Sequence, residues 1–484
     1  MVRMTEAMNR REFVRTGVAA SVAASLPLSA EAAPRKRMNI LYVFSDQQRA
    51  CSMPGKPFSD VVAPNLDAFA KQNFVMENCI SNYPLCTPYR AIFMSGRWPQ
   101  QTGVTRNGPD MALKASEYGL GQCFKDAGYN TGYAGKWHLA IGGERNFVPK
   151  GPLRFGFDYF HIWGNTNNHW HDFTWNPETG ERIVRNKWNA TAMTDDAVVF
   201  LEQQKKDKPW LLVVSWNPPH PPYDPPKEDA DLYDAAKLQQ RPNVSLTYSN
   251  GKHSERPQLE SEATLRAAQK GYYGGITGVD KEFARLLATL EKTGQADNTI
   301  VIFTSDHGDM MGTHARMAKQ VPWEESCHVP FYIRIPGAAN RGKSSSELLA
   351  SIDIYPTLCG LAGIPVPKHC SGHDRSSIML GHGGTSADHV ILMSDKGLDG
   401  MEASLTETYR GIRTATHTYA VVGDGRWLLY DNVADPYQVK NLAGDPKQAP
   451  LIKELDEKIM AWQKVSGDTF PLAEAAKKLS SYPT

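Results

Sequence analysis

Three short apolar runs that each end in polar residues constrain the fold of this chain more than any other feature of its sequence. They lie at residues 38–46, 209–217 and 298–309. Continuous apolar runs of this length are typical of strands that are buried on both faces of a parallel sheet. The stretches between them favour helices, at 65–72, 118–127, 190–205 and 265–293. Because strands alternate with helices, the sequence predicts an α/β fold with a mostly parallel central sheet flanked by helices.

The pattern changes after residue 376. Short strand-like runs separated by turns follow, at 389–395, 409–423 and 426–431. They favour an antiparallel sheet, and 449–464 has the pattern of one closing amphipathic helix. We therefore predict a large domain over 38–375 and a smaller C-terminal α+β subdomain, which contains an antiparallel sheet, over 376–484.

Two adjacent arginines, Arg10 and Arg11, precede a weakly apolar run at 18–30 and small residues around Ala32 and Ala33. This order is typical of a twin-arginine signal peptide and its cleavage site, although an ordinary N-terminal helix is the alternative. We predict that residues 1–33 are a signal peptide read by the twin-arginine export machinery, so the mature protein is periplasmic or secreted. No later run approaches the ~20 apolar residues of a spanning helix, and no transmembrane segment is predicted in the mature protein.

Charge and cysteine content narrow the function classes. Lys and Arg total 53 and Asp and Glu total 52, so the formal net charge is only +1. The basic excess typical of nucleic-acid-binding proteins is missing, and no nucleic-acid partner is predicted. The chain has seven cysteines. If one is chemically reserved, the other six allow many disulfide pairings, which the sequence does not distinguish.

Polar residues mark the end of each apolar run. Asp46 and Gln47 follow the first run, His220 lies just beyond the second, and Asp306 and His307 lie near the end of the third. Ligands of open α/β sheets bind beyond the carboxyl ends of the strands, so we expect these side chains at one edge. Carboxylates suit Ca²⁺ or Mg²⁺, and histidine also suits softer metals. Each aspartate alone could instead be a helix N-cap, and for Asp306 alone that alternative is favoured.

A cysteine stands just before a predicted helix. Cys86 is followed by Thr87, Pro88 and Tyr89, and the apolar run 91–94 continues the helix. Proline is tolerated in a first helical turn, and the unpaired N–H groups there favour negative charge. Cys86 is therefore a candidate for a reactive thiolate or for the neighbour of a bound oxyanion. The alternative is a buried free cysteine.

The segment CTPYR at 86–90 resembles the C-x-P-x-R signature of the type I, formylglycine-dependent sulfatases of the alkaline phosphatase superfamily. Further motifs resemble that family and occur in its order, namely FSDQQ at 44–48, GKWHLA at 135–140, NPPHPPY at 217–223, TSDHGDMMGTH at 304–314 and LYDNVADPYQVKNLA at 429–443. The resemblance implies an alkaline phosphatase-like fold, with 38–375 as the catalytic domain.

The resemblance also implies a covalent mechanism. Cys86 would be oxidised to formylglycine by a formylglycine-generating enzyme. One hydroxyl of the hydrated aldehyde would attack sulfur, and the second would later expel sulfate. The residues that match the family's sulfate-binding and proton-transfer positions are Lys136, His138, His220 and Lys319. Arg90, on the same helix face as Cys86, would hold the hydrate or its oxyanion. Lys136 and His138 would point the same way if their segment is extended.

One divalent cation is implied as well. Asp46, Gln47, Asp306 and His307 match the family's ligand positions, with the modified Cys86 completing the set. Many relatives have Asp in place of Gln47 and Asn in place of His307. Gln47 in place of Asp removes one negative charge. Ca²⁺ is favoured by analogy with the family, while Mg²⁺ and Mn²⁺ stay open.

These observations predict a sulfuric ester hydrolase. The segment 158–188 is rich in Trp, His and Asn, a mixture that stacks on sugar rings and bonds hydroxyl groups. A sulfated saccharide is therefore the predicted substrate, with a small aryl or alkyl sulfate second. Two other functions stay open. A phosphodiester or phosphonate monoester hydrolase would use the same nucleophile on phosphorus, and a catalytically silent binding protein would result if Cys86 stayed a thiol.

Overall fold

The structure is a computed structural model and describes residues 37–140, 147–163, 167–384, 387–395 and 407–484. The predicted signal peptide lies outside these residues. In chain order, the strands of the described residues are β1 (Asn39–Asp46), β2 (Phe74–Ile80), β3 (Asn130–Gly135), β4 (Tyr159–Ile162), β5 (Asp172–Trp175), β6 (Arg182–Arg185), β7 (Trp210–Pro219), β8 (Thr299–Ser305), β9 (His328–Val329), β10 (Phe331–Arg334), β11 (Ser344–Ala350), β12 (His389–Ser394), β13 (Tyr409–Thr414), β14 (His417–Val422) and β15 (Gly425–Asp431).

The α-helices complete the inventory of the same residues. They are α1 (Pro64–Gln72), α2 (Cys86–Ser95), α3 (Pro99–Thr102), α4 (Leu120–Asp126), α5 (Asn189–Gln203), α6 (Lys227–Ala230), α7 (Glu262–Lys292), α8 (Glu324–Cys327), α9 (Ile354–Ala362), α10 (Ser376–Met379), α11 (Ala449–Ser466) and α12 (Leu472–Ala475). Among these helices, none has the length and apolar content needed to cross a membrane. The four helices predicted between the apolar runs are confirmed as α1, α4, α5 and α7, with ends shifted by up to three residues.

The central sheet has the strand order β11–β2–β10–β8–β1–β7–β3–β4, and β9 pairs with β2. The pairs β8–β1–β7–β3–β4 are all parallel, and β11 runs parallel to β2, whereas β9 and β10 run antiparallel to their neighbours. The three apolar runs are the three adjacent strands β8, β1 and β7 at the centre. The predicted α/β fold with a mostly parallel sheet is therefore confirmed.

Side chains of β1 alternate between two cores, one on each face of the sheet. Tyr42 and Phe44 belong to the core beneath α2, where the ring centroids of Tyr42 and Phe93 lie 4.8 Å apart. Leu41 and Val43 belong to the opposite core, which α5 and α7 cover. All eight residues of β1 are buried, which explains why its sequence is a continuous apolar run rather than an alternating one.

The second sheet lies in the C-terminal part of the chain and has the antiparallel order β12–β13–β14–β15. Its buried face shares a core with the apolar side of α11, which contributes Ile452, Leu455, Ile459 and Trp462. The predicted antiparallel sheet and closing helix are thus confirmed, while the domain boundary at 375 stays a prediction.

Candidate active site

The carboxyl ends of β1 and β8 bring two aspartates together. Ser45 lies opposite Ser305 in the parallel register, so Asp46, the last residue of β1, and Asp306, just beyond β8, leave the sheet side by side. Both are fully buried. Asp306 Oδ1 accepts hydrogen bonds from the backbone N–H of Gln47 at 3.0 Å and of His307 at 2.8 Å. Asp46 and Asp306 therefore lie together at one edge of the sheet, as the sequence predicts.

Cys86 faces this pair from the start of a helix. It is the first residue of α2, one position earlier than the sequence predicts, and is 1 % exposed. Its Sγ lies 3.6 Å from Asp46 Oδ1, 3.3 Å from His307 Nε2 and 3.8 Å from Lys136 Nζ. The thiol is thus placed between an anionic, an imidazole and a cationic group.

Arg90 lies one helical turn after Cys86 and reaches both carboxylates. Its Nη2 is 3.2 Å from Asp46 Oδ2 and 3.3 Å from Asp306 Oδ2. Its Nη1 donates to Lys136 O and to Ser215 Oγ, each at 2.7 Å. The guanidinium forms two ion pairs and two neutral hydrogen bonds, so it has little freedom to rotate.

Lys136 follows directly after β3 and completes the cationic side. Its Nζ forms an ion pair with Asp46 Oδ2 at 2.8 Å and donates to Asn217 Oδ1 at 3.3 Å. His138, two residues later, is buried but has a φ of 57°. The segment is therefore not extended at His138, and the condition for the two side chains to point the same way is not met.

His220 and Lys319 form a second pair beside the carboxylates. Lys319 Nζ lies 3.2 Å from His220 Nε2 and donates to Gln47 Oε1 at 2.8 Å. His220 Nδ1 lies 2.6 Å from the carbonyl of Pro221, so Nδ1 carries the proton and Nε2 accepts from the ammonium group. Burial, and then the charge of Lys319, lower the pKa of His220 well below its ordinary value.

The pKa values of the two aspartates are shifted in opposite directions. Burial would raise the pKa of Asp46, but the nearby cations, Lys136 first, outweigh it and hold that pKa well below its ordinary value. Burial and the adjacent charge of Asp46 raise the pKa of Asp306. Burial lowers the pKa of His307 and so favours its neutral form. The cluster therefore has an excess of electron-pair donors that an added positive charge would stabilise.

The donor set fits a divalent cation. One ligand atom from each of Asp46, Cys86, Asp306 and His307 lies within 4.8 Å of the others, and all four residues are buried. His307 Nδ1 is 3.1 Å from the carbonyl of Gly308, so Nε2 presents its lone pair to carboxylate oxygens 3.6 and 3.7 Å away. His307 Nε2, Asp46 Oδ1 and Asp306 Oδ1 are thus three electron-rich atoms that face one another, an arrangement that a bound cation stabilises. Gln47 differs, because its amide oxygen faces Lys319.

Four further contributors were not singled out from the sequence. Ser215 and Asn217 hold Arg90 and Lys136, and Asn217 Nδ2 is 2.8 Å from His169 Nε2. The fourth is Asp309, whose carboxylate lies 2.5 Å from the side-chain nitrogen of Gln47. Asn217 and Asp309 stand inside the quoted motifs, but nothing in those motifs indicates which side chains they contact.

Two family models match the chain. The model described as Sulfatase covers residues 38–364, and the model described as N-sulphoglucosamine sulphohydrolase, C-terminal, covers residues 312–465. The first match alone spans more than half of the chain.

Individual relatives match over nearly the whole chain. An ulvan-active sulfatase of Formosa agariphila is 35% identical over 453 residues, which are 92% of this chain and 84% of that protein. An N-acetylglucosamine-6-O-sulfatase of Bacteroides thetaiotaomicron is 26% identical over 93% of this chain and 91% of its own length.

A solved structure from work on the metabolism of multiple glycosaminoglycans by Bacteroides thetaiotaomicron has a TM-score of 0.80. It is 26% identical and is matched over 92% of this chain and 100% of that one. The sequence motifs, the arrangement of the strand ends and these matches agree. This chain therefore belongs to the sulfatase family of the alkaline phosphatase superfamily.

Proposed function

We propose that this sulfatase hydrolyses a sulfate ester on a saccharide, with Cys86, converted to formylglycine, as its nucleophilic residue. The observation that carries the proposal is the position of the Cys86 side chain, which starts α2 between Asp46, His307 and Lys136. An unmodified thiol there would attack sulfur but would have no second oxygen with which to release sulfate. The hydrated aldehyde supplies both oxygens.

The chain's own residues suit the charge changes of this reaction. Asp46 lies within reach of the nucleophilic group and stays ionised, so it can accept the proton of an attacking hydroxyl. Arg90 and Lys136 provide fixed positive charge beside Cys86, where negative charge develops on the sulfate oxygens. We assign protonation of the leaving oxygen to the Lys319–His220 pair, which shares one N–H between two nitrogens 3.2 Å apart. His138 is assigned to sulfate binding from the resemblance alone.

We propose one divalent cation held by Asp46, Asp306, His307 and the modified Cys86. Gln47 is assigned as the remaining ligand from the resemblance alone, because its amide oxygen accepts from Lys319. When bound, such a cation polarises a sulfate oxygen and the nucleophilic hydroxyl together. Ca²⁺ is favoured by analogy with the family, and Mg²⁺ and Mn²⁺ are the alternatives. The buried, electron-rich donor cluster supports this assignment.

A saccharide substrate is supported by two kinds of observation. The names of two relatives and the description of one family model refer to ulvan or to glucosamine derivatives. Within the segment 158–188, His169 contacts Asn217 and Trp170 Nε1 donates to Asp224 O at 3.1 Å. His169 and Trp170 therefore lie beside the loop that carries His220, and the partly exposed Trp170 is available to contact the sugar.

The decisive experiment joins mass spectrometry to matched kinetics. A peptide that spans residues 82–90 should carry an aldehyde in place of the Cys86 thiol. Sulfate and phosphate esters of the same alcohol, compared side by side, should give the higher kcat/KM for sulfate, and sulfated saccharides should exceed aryl sulfates. Turnover by protein whose Cys86 is wholly unmodified would contradict the mechanism. Preference for the phosphate ester would favour the phosphodiester or phosphonate hydrolase, and inactive thiol protein would favour a binding protein.

We also propose export by the twin-arginine route to the periplasm or beyond. The double substitution Arg10→Lys and Arg11→Lys should retain the protein in the cytoplasm, because the export machinery reads the paired arginines. Cell fractionation and immunoblotting measure the distribution. Normal periplasmic accumulation of the variant would rule out this signal.

A further inference from the structure

One buried carboxylate outside the sulfate-binding set, that of Asp309, accepts four hydrogen bonds. Asp309 is 0% exposed. Its Oδ2 accepts from Gln47 Nε2 at 2.5 Å and from the hydroxyl of Tyr223 at 2.8 Å. Its Oδ1 accepts from the backbone N–H of Met311 at 3.0 Å and of Ala318 at 2.9 Å. These four bonds compensate the desolvation of the charge.

Three of the four donors adjoin residues of the proposed reaction. Gln47 follows Asp46 at the end of β1, Ala318 precedes Lys319, and Tyr223 lies three residues after His220 in the loop beyond β7. Gln47 and Ala318 have left-handed φ values of 72° and 63°, a conformation that costs non-glycine residues about 1–2 kcal/mol. Asp309 therefore holds three separate segments, two of them in backbone conformations that need external support.

The amide of Gln47 transmits this constraint. Because its nitrogen donates to Asp309, its oxygen must face the other way, where it accepts from Lys319 Nζ at 2.8 Å. Lys319 in turn contacts His220 Nε2 at 3.2 Å. An amide that was turned over would direct N–H groups at the ammonium ion and lose that contact.

We propose that Asp309 is a positioning residue for the sulfatase reaction, which sets the amide of Gln47 and thereby aims Lys319 and His220. Asp309 reaches this pair through Gln47, whose amide contacts both Asp309 and Lys319. The inference rests on the proposed role of the Lys319–His220 pair. It also makes residues 47 and 309 interdependent, because one must be a carboxylate and the other an amide.

A charge-conserving exchange tests this interdependence. In Gln47→Glu alone, two carboxylate oxygens would lie about 2.5 Å apart, a buried repulsion that is relieved only by uptake of a proton or by separation of the two side chains. In Asp309→Asn alone, two amide nitrogens would face each other unless Gln47 turns away from Lys319. In the double variant, the amide of residue 309 donates to the carboxylate of residue 47, which still accepts from Lys319. Each single variant should lose about 10²-fold in kcat, because misplacement of a reacting group by about 1 Å has that effect.

The double variant should regain kcat to within about tenfold of the wild type, with KM for the sulfated saccharide changed less than kcat. Thermal unfolding in EDTA and again with Ca²⁺ provides a readout that does not need turnover, and the two substitutions should be coupled there as well. Asp280→Asn is the control, since Asp280 is a buried carboxylate that accepts hydrogen bonds from Asn65 Nδ2 and Leu66 N outside the site. It should lower the unfolding temperature and leave kcat unchanged.

The proposal would be overturned if the two substitutions acted independently. In that case the fold-losses in kcat of the single variants would multiply in the double variant, and their losses in unfolding temperature would add. A Gln47→Glu variant whose kcat equals that of the wild type from neutral to alkaline pH, where a shared proton is lost, would also overturn the proposal. If either single variant does not fold, a folded and active double variant still supports the interdependence, and an unfolded or inactive one contradicts it. Wild-type protein without turnover of any sulfate ester would instead refute the proposed function, and the unfolding data would then show separately whether residues 47 and 309 are coupled.

Discussion

Arg90→Met tests whether one guanidinium holds the centre of the site together. Methionine keeps an apolar stem near Phe44, whose ring centroid lies 5.0 Å from the guanidinium carbon, but it removes the charge and every N–H donor. The lost contacts are 3.2 Å to Asp46 Oδ2, 3.3 Å to Asp306 Oδ2, and 2.7 Å each to Lys136 O and Ser215 Oγ. Each partner is buried, so water cannot replace the lost hydrogen bonds without a structural opening.

The size of the effect follows from these contacts. Removal of one member of a buried ion pair costs about 3–5 kcal/mol, because the other charge stays buried. The hydrogen bonds to Lys136 O and Ser215 Oγ add to this, but contributions within one network are not additive. Proton uptake by Asp306, whose pKa is already raised by burial, limits the penalty. We therefore expect the free energy of unfolding to fall by about 4 kcal/mol, together with loss of turnover.

Urea denaturation followed by tryptophan fluorescence, with EDTA in every sample, measures the free energy of unfolding. Arg106→Met is the matched control, because Arg106 pairs with the exposed Asp110 four residues away and such surface pairs contribute about 0–1 kcal/mol. If Arg90→Met were no less stable than Arg106→Met, the two ion pairs would not stabilise the centre of the site. Lysine keeps the charge but lacks the two separate terminal nitrogens of arginine. Turnover by Arg90→Lys at the wild-type rate would therefore show that the two terminal nitrogens of Arg90 are not both required.

The remaining predictions concern the nucleophile, the metal and one distant carboxylate. Cys86→Ser should stop after one turnover and accumulate a sulfated peptide that spans residue 86, whereas Cys86→Ala should bind substrate without an adduct; peptide mass spectra distinguish them, and turnover by the alanine variant would contradict the mechanism. Asp306→Ala should lose turnover and bound divalent cation while the sheet stays folded, as elemental analysis and circular dichroism would show; full metal content would remove Asp306 from the ligands. Burial raises the pKa of Asp456 to about 6, so its charge destabilises the folded state increasingly as the pH rises from about 4 to above about 6. Asp456→Asn should therefore be more stable than the wild type by about 1 kcal/mol at about pH 8, after allowance for solvent screening. Thermal melts should show this difference vanish below about pH 4, and a difference that persisted there would contradict the cause.

The central strands were predictable because they are buried on both faces. A strand such as β1, with no solvent-facing side, needs a continuous apolar run, and its end shows as the first polar residues. The edge strand β11 was not predicted, since it begins with Ser344, Ser345 and Ser346 and has exposed positions. Its place in the sheet depends on pairing with β2, which the local sequence does not encode.

The candidate site divides in the same way. Residues carried by motifs, such as Cys86 and Asp306, could be named from the sequence because their order along the chain matches the family. The orientation of Gln47 could not be named, because it depends on Asp309, 262 residues away. His169 likewise becomes part of the site only through its contact with Asn217. Contacts between separate loops are set by tertiary structure, and a single sequence does not show how close two distant residues lie in space.

The burial of Cys86 has a consequence for the order of events during protein synthesis. The thiol is 1 % exposed, and its neighbours include Asp46 before it and His307 far after it. On the ribosome, residue 86 is made long before β8 and the histidine that follows it. In the proposed maturation, an enzyme that oxidises Cys86 would have access while the chain is still short and would lose that access when β8 joins the sheet. Maturation and folding would then compete, and slower closure of the central sheet would increase the fraction of molecules with a modified Cys86.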